Sequence, residues 1–399
     1  MTIEQLAKHA PELREAYDAA RPEFVDFLNR VDSWFGAQSI PYHQIDSRIR
    51  AEFDLNATIG IRLALKIAES RRLVRDLQQE VTVTLINPVY KETGRMQPRS
   101  AHPHGEDSIR IKIEALRALE RLNDRFHARL VVVDDECPDR SGVQAEEIIA
   151  SCGEGPHEVL FLGDAIDRND PDVPLGLTHK SGSNRSVKGG AVLYAMRRCL
   201  RDEVTGMHIL VDNDADLSIH PEQIGLLIHD IVRGAAKAVA GSRREPDSVA
   251  TIGGARNMRG QLFINIWQHF LPELATSITD TTRAFKAFES GSLSQIIERI
   301  GTYTFPYQIE LLQACVTAGI PLTTCAVGYL DSEAASTQQG ENITETYLHQ
   351  IHQIIAIAKR YNTTDDQDPL LRLFETMSEE RWLEIERNPP EKITELVQG

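Results

Sequence analysis

Short runs of β-branched residues alternate with segments of helical periodicity between about residues 81 and 335, and this alternation limits the fold more than any other feature. Each run has the length of a strand, and each helical segment carries apolar residues three or four positions apart. The predicted strands are residues 81–86, 130–133, 159–162 and 207–211, and the predicted helices are residues 109–122, 146–150 and 191–201. Strands that alternate with helices predict an α/β fold with a mainly parallel sheet and helices on both of its faces.

The regions on either side of this alternation are predicted to be helical. Residues 57–80 carry apolar side chains at the spacing of an amphipathic helix, and residues 336–399 are mostly helical in character. We expect a helical N-terminal extension at 1–80, an α/β domain at 81–335 and a helical C-terminal extension at 336–399. Amphipathic helices outside a domain favour a homodimer surface, a cradle for a ligand or packing on the chain's own core, and the sequence leaves all three open.

The composition excludes several classes of partner. The 399 residues carry a formal net charge of −16, which argues against bulk binding of nucleic acid or of an anionic membrane surface. No apolar run is long enough to span a bilayer, and the N-terminal sequence lacks the apolar stretch of a secretory signal. The five cysteines are scattered without a CxxC pair, as is typical of reduced thiols. We therefore expect a cytoplasmic protein.

An acidic motif follows the last of the four predicted strands. The sequence LVDNDADLS places Asp212, Asp214 and Asp216 at alternate positions, so that they share a face of an extended chain. Clustered carboxylates repel one another unless a cation lies between them, and Mg²⁺ commonly combines carboxylates with substrate phosphates. The motif predicts Mg²⁺ or Mn²⁺ on Asp214 and Asp216, bridging a diphosphate. A solvated acidic turn is the alternative.

Three other motifs carry groups suited to a nucleotide. Lys188 and Gly189, in SVKGGA, open a predicted helix whose N-terminus favours an anion, although a simple glycine turn also explains them. Asp134 and Asp135 end a predicted strand, where carboxylates accept hydrogen bonds from a nucleobase or ribose or cap a helix. Arg243, in AGSRR, suits bidentate phosphate binding or is an ordinary surface arginine.

Two long polar segments, residues 93–107 and 164–187, interrupt the strand–helix pattern. Structureless loops of this length in a compact domain are often functional lids. We interpret the first either as a lid that closes over a ligand and excludes water or as a mobile surface insertion.

The order of these motifs along residues 81–335 resembles glycosyltransferase family 2, with the GT-A fold, and in particular its polyprenyl-phosphate glucosyl- and mannosyltransferase branch. Each motif is common by itself, whereas the ordered set is specific. The motifs are PVYKE at 88–92, DD at 134–135, KGGA at 188–191, DAD at 214–216, GSR at 241–243, DT at 280–281, FKAF at 285–288 and IELL at 309–312.

The resemblance implies a donor site for a nucleotide sugar and a site for a divalent metal. The implied donor-binding residues are Pro88, Tyr90, Glu92, Asp134, Asp135, Lys188, Gly189, Asp214 and Arg243. The implied metal ligands are Asp214 and Asp216, which hold Mg²⁺ or Mn²⁺ against the donor diphosphate.

The chain departs from the family pattern at the expected catalytic base. Gln308 stands where the family has an aspartate, and glutamine cannot deprotonate an acceptor hydroxyl. The resemblance therefore implies Glu310 or Asp280 as the base, or an acceptor that is already ionised, such as a phosphate. Residues 282–286 also read TRAFK where the family has QCGFK, and the membrane helices common in this branch are missing from the sequence.

The expected function is metal-dependent transfer of a hexosyl unit from a UDP- or GDP-sugar to a soluble small-molecule or phosphate-bearing acceptor, with inversion implied by the resemblance. A nucleotidyltransferase is one alternative, since it also joins a nucleotide fold to a metal–carboxylate site. A non-catalytic nucleotide-sugar-binding protein is the other, and Gln308 is its main support.

Overall fold

The structure is a computed structural model that describes residues 2–38, 40–54, 58–251, 254–281, 283–332, 343–390 and 392–397. The side chains of residues 254–259 and 343 lie outside the described part. Residue 57, the first of the predicted helix 57–80, and residue 282, the first of the TRAFK segment, also lie outside it.

A mainly parallel sheet of seven strands forms the centre of the protein. The strands, numbered in chain order, are β1 Val81–Val89, β2 Phe126–Asp134, β3 Glu158–Phe161, β4 Met207–Asp212, β5 Ala238–Ser242, β6 Val249–Ala250, β7 Lys286–Glu289, β8 Leu322–Ala326 and β9 Gly328–Tyr329. The order in the large sheet is β3-β2-β1-β4-β7-β5-β8, and β6 pairs with β9 separately. Only β7 is antiparallel to its neighbours, β4 and β5. The predicted mainly parallel α/β fold is confirmed.

Helices cover both faces of this sheet. They are α1 Ile3–Lys8, α2 Pro22–Gly36, α3 Tyr42–Glu52, α4 Ile59–Arg75, α5 Ser108–Glu120, α6 Ser141–Ser151, α7 Leu162–Asp167, α8 Gly189–Cys199, α9 Ile224–Val232, α10 Gly254–Phe270, α11 Pro272–Ala275, α12 Ser290–Leu293, α13 Tyr307–Thr317, α14 Ile343–Arg360, α15 Pro369–Glu375 and α16 Glu379–Arg387. Short 3₁₀ helices lie at Ala16–Ala20, Pro221–Gln223, Ile297–Arg299 and Ile393–Val397.

The alternation of side chains along the strands explains the two apolar layers. In β2, Val131 and Val133 join the cluster formed with α8, α13 and α14, whereas Leu130 and Val132 join the cluster formed with α5 and α9. Successive residues of a strand point to opposite faces, and a parallel sheet covered by helices on both sides is apolar throughout. The near-continuous apolar runs in the sequence follow from this double burial.

The N-terminal helices pack on the α/β core of the same chain. Helix α4 is buried along most of its length and lies between α2 and α9. Two ion pairs fasten it, with Arg62 Nε 2.8 Å from Asp46 Oδ1 and Arg71 Nε 2.5 Å from Glu222 Oε2. Their low exposure makes the loss of one partner more costly than at a surface pair. These contacts favour packing on the chain's own core, and the domain boundary at residue 80 stays a prediction.

The C-terminal helices also join the core. Helix α14 packs on α10 and on α15 and α16, and its apolar residues Ile351, Ile354 and Ile355 belong to the same cluster as one face of the sheet. The helical character predicted for this region is therefore confirmed for its described residues. A homodimer surface remains a prediction.

Several sequence-based boundaries differ from the structure by a few residues. The amphipathic helix predicted to residue 80 ends at Arg75. The N–H group of its C-cap, Asp76, donates to the carbonyl oxygen of Arg72, and the chain then turns into β1. The strand predicted at 159–162 is β3, and Leu162 already begins α7. That helix enters the segment 164–187, which is therefore not wholly structureless. Among the described helices, none combines the length and apolarity needed to cross a membrane.

Candidate active site

The carboxyl ends of β1, β2 and β4 open into a cavity of about 1370 Å³. In parallel α/β sheets, ligands bind beyond these ends of the strands. Eight of the predicted site residues line the cavity, namely Pro88, Tyr90, Glu92, Asp135, Lys188, Asp214, Asp216 and Arg243. Four others do not line it, namely Asp134, Gly189, Asp280 and Glu310.

The acidic tip, residues 212–218, divides the three aspartates by role. Asp212 is fully buried and accepts hydrogen bonds from Tyr307 Oη at 2.7 Å and Gln308 Nε2 at 2.8 Å. Burial raises the pKa of Asp212. Asp214 and Asp216 are half-buried and line the cavity. The two residues predicted as metal ligands are thus the two that face the open space.

Lys188 holds one of these carboxylates. Its Nζ contacts Asp214 Oδ1 directly. Burial raises the pKa of Asp214, but the cationic side chains of Lys188 and Arg283 outweigh it and hold that pKa well below its usual range. Lys188 also adopts φ +71° at the N-cap of α8, a left-handed conformation that is uncommon for a residue with a Cβ. Asp214 is therefore ionised and beside a cation at the mouth of the site.

Lys112 supports the acidic tip from inside the protein and was missed in the sequence. Its Nζ donates to the carbonyl oxygens of Asp214 and Ala215 at 2.6 and 2.9 Å and contacts Asn87 Oδ1. Burial lowers the pKa of Lys112 to about 8. The signal was present, because position 112 falls on the apolar face of its helix, one turn before Leu116. A lysine on such a face needs a buried partner.

Asp134 braces a loop and does not face the cavity. Its two carboxylate oxygens accept hydrogen bonds from the backbone N–H groups of Cys137 at 2.8 Å and Gly142 at 2.7 Å. A carboxylate used in this way closes the turn that leads into α6. These contacts fit the helix-capping alternative for Asp134, and its contact with a nucleotide stays a prediction.

Asp135 is the member of this pair that reaches the cavity. Its Oδ2 accepts hydrogen bonds from Lys180 Nζ at 2.7 Å and from the backbone N–H of Lys188 at 2.9 Å. The Lys180 ammonium also lies 4.6 Å from the centre of the Tyr90 ring. Lys180 was not predicted, because nothing in its local sequence distinguishes it from other lysines of a polar loop. The structure shows that it joins the ends of β1 and β2.

Gly189 is required by the chain's own backbone. A Cβ at this position would lie 2.7 Å from Thr304 O and 2.8 Å from Tyr303 C. The adjacent Gly190 N–H donates to Tyr303 O at 3.0 Å. The backbone of residues 303–304 thus occupies the space beside Gly189, and the predicted role of Gly189 in donor binding stays a prediction.

Arg243 and Asp280 neutralise each other. Arg243 Nε lies 2.6 Å from Asp280 Oδ2, and its Nη2 lies 2.9 Å from Asp280 Oδ1. Burial raises the pKa of Asp280, but the bidentate guanidinium outweighs it and holds that pKa well below its usual range. A carboxylate held in this way is a poor proton acceptor. The geometry therefore argues against Asp280 as the base, and Arg243 lines the cavity with its charge already paired.

Glu310 is also committed to partners within the protein. It is fully buried in the first turn of α13. Its carboxylate accepts hydrogen bonds from the backbone N–H groups of Thr302 at 2.7 Å and Gly301 at 3.2 Å, and it forms an ion pair with Arg360. A general base must reach the proton that it removes. Glu310 does not line the cavity, so its placement argues against the predicted catalytic role.

Gln308 completes a buried network at the floor of the cavity. Its Nε2 donates to Asp212 Oδ2 at 2.8 Å, and its Oε1 lies 3.4 Å from Lys286 Nζ. Burial lowers the pKa of Lys286 to about 8. An amide can donate a hydrogen bond to a carboxylate through its N–H and accept one from an ammonium through its oxygen. The glutamine thus fits its surroundings as a bridge between opposite charges.

No protein-family model matches the chain. A polyprenol monophosphomannose synthase from Mycolicibacterium smegmatis is 26% identical over 218 residues, which are 54% of this chain and 72% of that protein. An undecaprenyl-phosphate mannosyltransferase from Micrococcus luteus is 27% identical over 240 residues, which are 58% of this chain and 85% of that protein. The chain is a sequence homologue of these two glycosyltransferases. The predicted enzyme class, glycosyltransferase, is confirmed.

Solved structures of a glucosyl-3-phosphoglycerate synthase from Mycobacterium tuberculosis are also similar to this glycosyltransferase homologue. One of them, a complex with Mn²⁺, UDP and glucosyl-3-phosphoglycerate, has a TM-score of 0.47 and 16% sequence identity. The match covers 75% of this chain and 85% of that one.

Arg283 adds a further cation to the site of this glycosyltransferase homologue. It lines the cavity, and its Cζ lies 5.2 Å from the centre of the Tyr329 ring. Burial lowers its pKa, but Tyr329 and the carboxylates of Asp214 and Asp216 outweigh that effect, so the pKa is raised. The residue falls in the segment TRAFK that departs from the family pattern. Its position beside the acidic tip suits charge stabilisation on a phosphate group.

The C-terminal region forms a wall of the cavity, as one of the alternatives for the flanking helices implies. Helix α14 contributes Glu345, Leu348, His349 and Gln353, and residues 377–379 extend the same wall. A helix that lies more than a hundred residues from the acidic tip in sequence therefore lines the same cavity.

A second cluster of metal-type side chains lies away from the cavity. Glu158, Cys199 and Asp202 have ligand atoms within 4.8 Å of one another. Two arginines already occupy it, with Arg198 Nη1 2.6 Å from Asp202 Oδ1 and Arg129 in contact with the same carboxylate. Arginine is a permanent cation, so this cluster is charge-balanced without an ion.

Proposed function

We propose that the protein transfers a hexosyl unit from a UDP- or GDP-sugar to a small acceptor whose attacking oxygen is already ionised, such as a phosphate. One observation carries the proposal: Asp214 and Asp216 face a large cavity at the ends of the parallel strands, beside Lys188 and Arg283. Alternating carboxylates and cations suit a metal–diphosphate group, because each charge is balanced by a neighbour.

Asp214 and Asp216 would hold the divalent cation. Asp214 Oδ1 contacts Lys188, and Asp216 Oδ1 accepts a hydrogen bond from Ser218 N at 3.0 Å. The second oxygen of each carboxylate has no hydrogen-bond donor within the part of the chain that the structure describes. These hard oxygen ligands fit Mg²⁺ or Mn²⁺. The cation would neutralise charge on the departing diphosphate.

The nucleoside would lie between the ends of β1 and β2. Pro88, Tyr90, Glu92 and Asp135 line this part of the cavity. Asp135 Oδ1 is buried without a hydrogen-bond partner among the described residues, and a buried acceptor of this kind favours a ligand donor. A ribose hydroxyl or a nucleobase N–H supplies such a donor.

The acceptor would enter from the side of α14. In the transfer, the bond from the anomeric carbon to the diphosphate oxygen breaks with its electron pair on the diphosphate, and the acceptor oxygen bonds to that carbon. Both predicted bases, Glu310 and Asp280, are engaged by internal cations. An acceptor oxygen that is already ionised requires no base. Both sequence relatives are named after phosphate-bearing polyprenyl compounds, and inversion remains the outcome implied by the resemblance.

A thermal-shift screen of UDP- and GDP-hexoses with and without Mn²⁺ tests the proposal. We expect a matching donor to raise the melting temperature by mass action, and only when Mn²⁺ is present. Asp214→Asn and Asp216→Asn should abolish this metal-dependent shift. Asp164→Asn, at an exposed position of α7, should retain it. A wild-type protein stabilised by no nucleotide sugar would contradict the proposal.

Analysis of the reaction products separates the competing functions. Free nucleoside diphosphate together with a glycosylated acceptor supports sugar transfer. Release of pyrophosphate from a nucleoside triphosphate supplied with a sugar phosphate would instead identify a nucleotidyltransferase. Donor binding without turnover on a panel of phosphorylated and neutral acceptors would identify a non-catalytic binder. Either of the last two results overturns the proposed function.

A further inference from the structure

An ion pair connects the last residue of α14 with the first turn of α13. Arg360 Nη1 contacts Glu310 Oε1, and the glutamate side chain is fully buried. The arginine lies 50 residues from its partner in sequence and belongs to the C-terminal region. Breaking a pair with one buried member leaves an uncompensated charge, so this contact resists separation.

The same carboxylate holds the segment 301–304. Glu310 Oε2 accepts the backbone N–H of Thr302 at 2.7 Å and of Gly301 at 3.2 Å. The guanidinium of Arg360 also lies against Gly301, where an added Cβ would be 3.0 Å from Arg360 Cζ. Arg360 and Glu310 therefore fix the start of this segment from two directions.

The far end of this segment positions the N-terminus of α8. Tyr303 O accepts hydrogen bonds from Val187 N at 2.9 Å and Gly190 N at 3.0 Å. Gly189 lies so close to Thr304 that a Cβ would approach its carbonyl oxygen to 2.7 Å. Backbone packed this closely transmits displacement, because protein interiors have little free volume.

Lys188 lies between Val187 and Gly190, the two residues whose N–H groups donate to Tyr303 O. Its backbone N–H donates to Asp135 Oδ2 at 2.9 Å, and its Nζ contacts Asp214. Its positive φ is a conformation that persists only where the surroundings enforce it. The surroundings are Asp135 on one side and the segment 301–304 on the other.

We propose that Arg360 is a positioning residue for the donor-diphosphate end of the cavity. Acting through Glu310 and the backbone of residues 301–304, it holds Lys188 against Asp214. The part that concerns the donor rests on the proposed function. Helix α14 then contributes to the site in two ways. Its N-terminal half lines the cavity, and its last residue, Arg360, positions the Lys188 ammonium beside Asp214.

Hydrogen exchange tests the mechanical part without any ligand. In Arg360→Met, the amides of Val187, Gly190 and Thr302 should exchange faster than in the wild type. Lys359→Met is the matched control, because it removes an exposed pair with Glu375 from the neighbouring position of α14 and should leave these amides unchanged. Equal exchange in Arg360→Met and the wild type would overturn the proposal.

Donor binding and turnover test the functional part. The dissociation constant for UDP or GDP in the presence of Mn²⁺ should rise about 2- to 30-fold in Arg360→Met, the range expected for a remote residue in a contact network. Arg360→Lys should recover part of this loss, and Lys359→Met should show none. Unchanged nucleotide affinity in Arg360→Met, with nucleotide binding intact in the wild type, would contradict the proposal.

Glu310→Gln separates positioning from base catalysis. A positioning role predicts weaker nucleotide binding, as in Arg360→Met. A catalytic base predicts unchanged binding with a collapse of kcat, and that result would overturn the proposal. A wild type that binds no nucleotide contradicts the proposed function instead, and the exchange experiment still decides whether Arg360 holds the segment that carries Lys188.

Discussion

Lys112 Nζ donates a hydrogen bond of 2.6 Å to the main-chain carbonyl oxygen of Asp214, from the interior side of the acidic tip. A second lysine, Lys188, contacts the side chain of the same aspartate from the cavity side. The backbone and the carboxylate of Asp214 are therefore held by different cations. The interior cation thus holds the backbone of the tip, and the side chains of Asp214 and Asp216 line the cavity.

Lys112→Met is expected to destabilise the protein and to weaken metal binding. The change leaves the carbonyl oxygens of Asp214 and Ala215 and the amide oxygen of Asn87 buried without their donor, which costs about 1–3 kcal/mol for each unsatisfied group. Part of this cost is offset because methionine, unlike lysine, has no charge whose burial is unfavourable. We expect a net loss of about 2–3 kcal/mol in urea unfolding and a higher Mn²⁺ dissociation constant. Lys237→Met, a partly exposed pair with Glu289, should stay within about 0.5 kcal/mol. Wild-type stability in Lys112→Met would disprove the supporting role.

Gln308→Glu is expected to destabilise the folded state in a pH-dependent way. The new carboxylate would lie against Asp212, whose pKa burial already raises, and the single ammonium of Lys286, 3.4 Å from Gln308 Oε1, can neutralise only one of the two. Two adjacent carboxylates share a proton at a raised pKa, so the folded state binds more protons than the unfolded state and the loss shrinks as pH falls. We expect about 2 kcal/mol at pH 8 and less at pH 5.5 in urea unfolding. The exposed Gln295→Glu is the control, and an equal loss at both pH values would refute the expectation.

Gly189→Ala is expected to cost stability by overpacking. The added methyl group would meet Thr304 O at 2.7 Å, and backbone on both sides cannot move away as a flexible side chain would. Such insertions cost about 1–3 kcal/mol. Gly36→Ala, at the end of α2 with nothing within 4 Å of its added Cβ, should be neutral or slightly stabilising because alanine favours a helix. The measurement is the melting temperature of Gly189→Ala and of Gly36→Ala. Identical values would contradict the prediction and would show that the backbone at Thr304 moves to make room for the methyl group.

His208 is expected to make the protein sensitive to acid. Burial, with a contribution from Arg129, lowers its pKa to about 4, and its Nε2 lies 2.9 Å from Thr84 Oγ1. Between pH 6.5 and 4 the unfolded state binds the additional proton, so stability falls as pH falls, by about 3 kcal/mol over this window. In denaturation from pH 7 to 4, His208→Gln should show a shallower decline than the wild type. The exposed His43→Gln serves as the control, and parallel curves for all three proteins would rule out this source.

Regular structure and the general place of the site were accessible from the sequence. The short β-branched and apolar runs at 81–86, 130–133 and 207–211 predicted strands that the structure confirms as parts of β1, β2 and β4. The aspartates after β4 were predicted to face a ligand, and Asp214 and Asp216 do line the cavity. These features depend on local spacing and on the rule that parallel strands end at one edge.

The sequence did not show which residue of each motif lines the cavity. Asp134 and Asp135 are adjacent and chemically identical in sequence, yet one braces a turn and the other reaches the cavity. Gly189 was predicted to lie at the donor site, and only the structure shows that the backbone at 303–304 packs against it. Neighbouring side chains on an extended chain point in opposite directions, so the choice between them depends on what packs on each side.

The sequence by itself determined a mainly parallel sheet and an acidic tip at its carboxyl edge, because periodicity and strand order are properties of the chain. Only the tertiary structure decided that Glu310 pairs with Arg360 and that Lys112 supports Asp214. These partners lie 50 and 102 residues apart. Contacts over such separations arise when elements pack, and the pattern of residues along the chain contains no record of which buried charge will meet which.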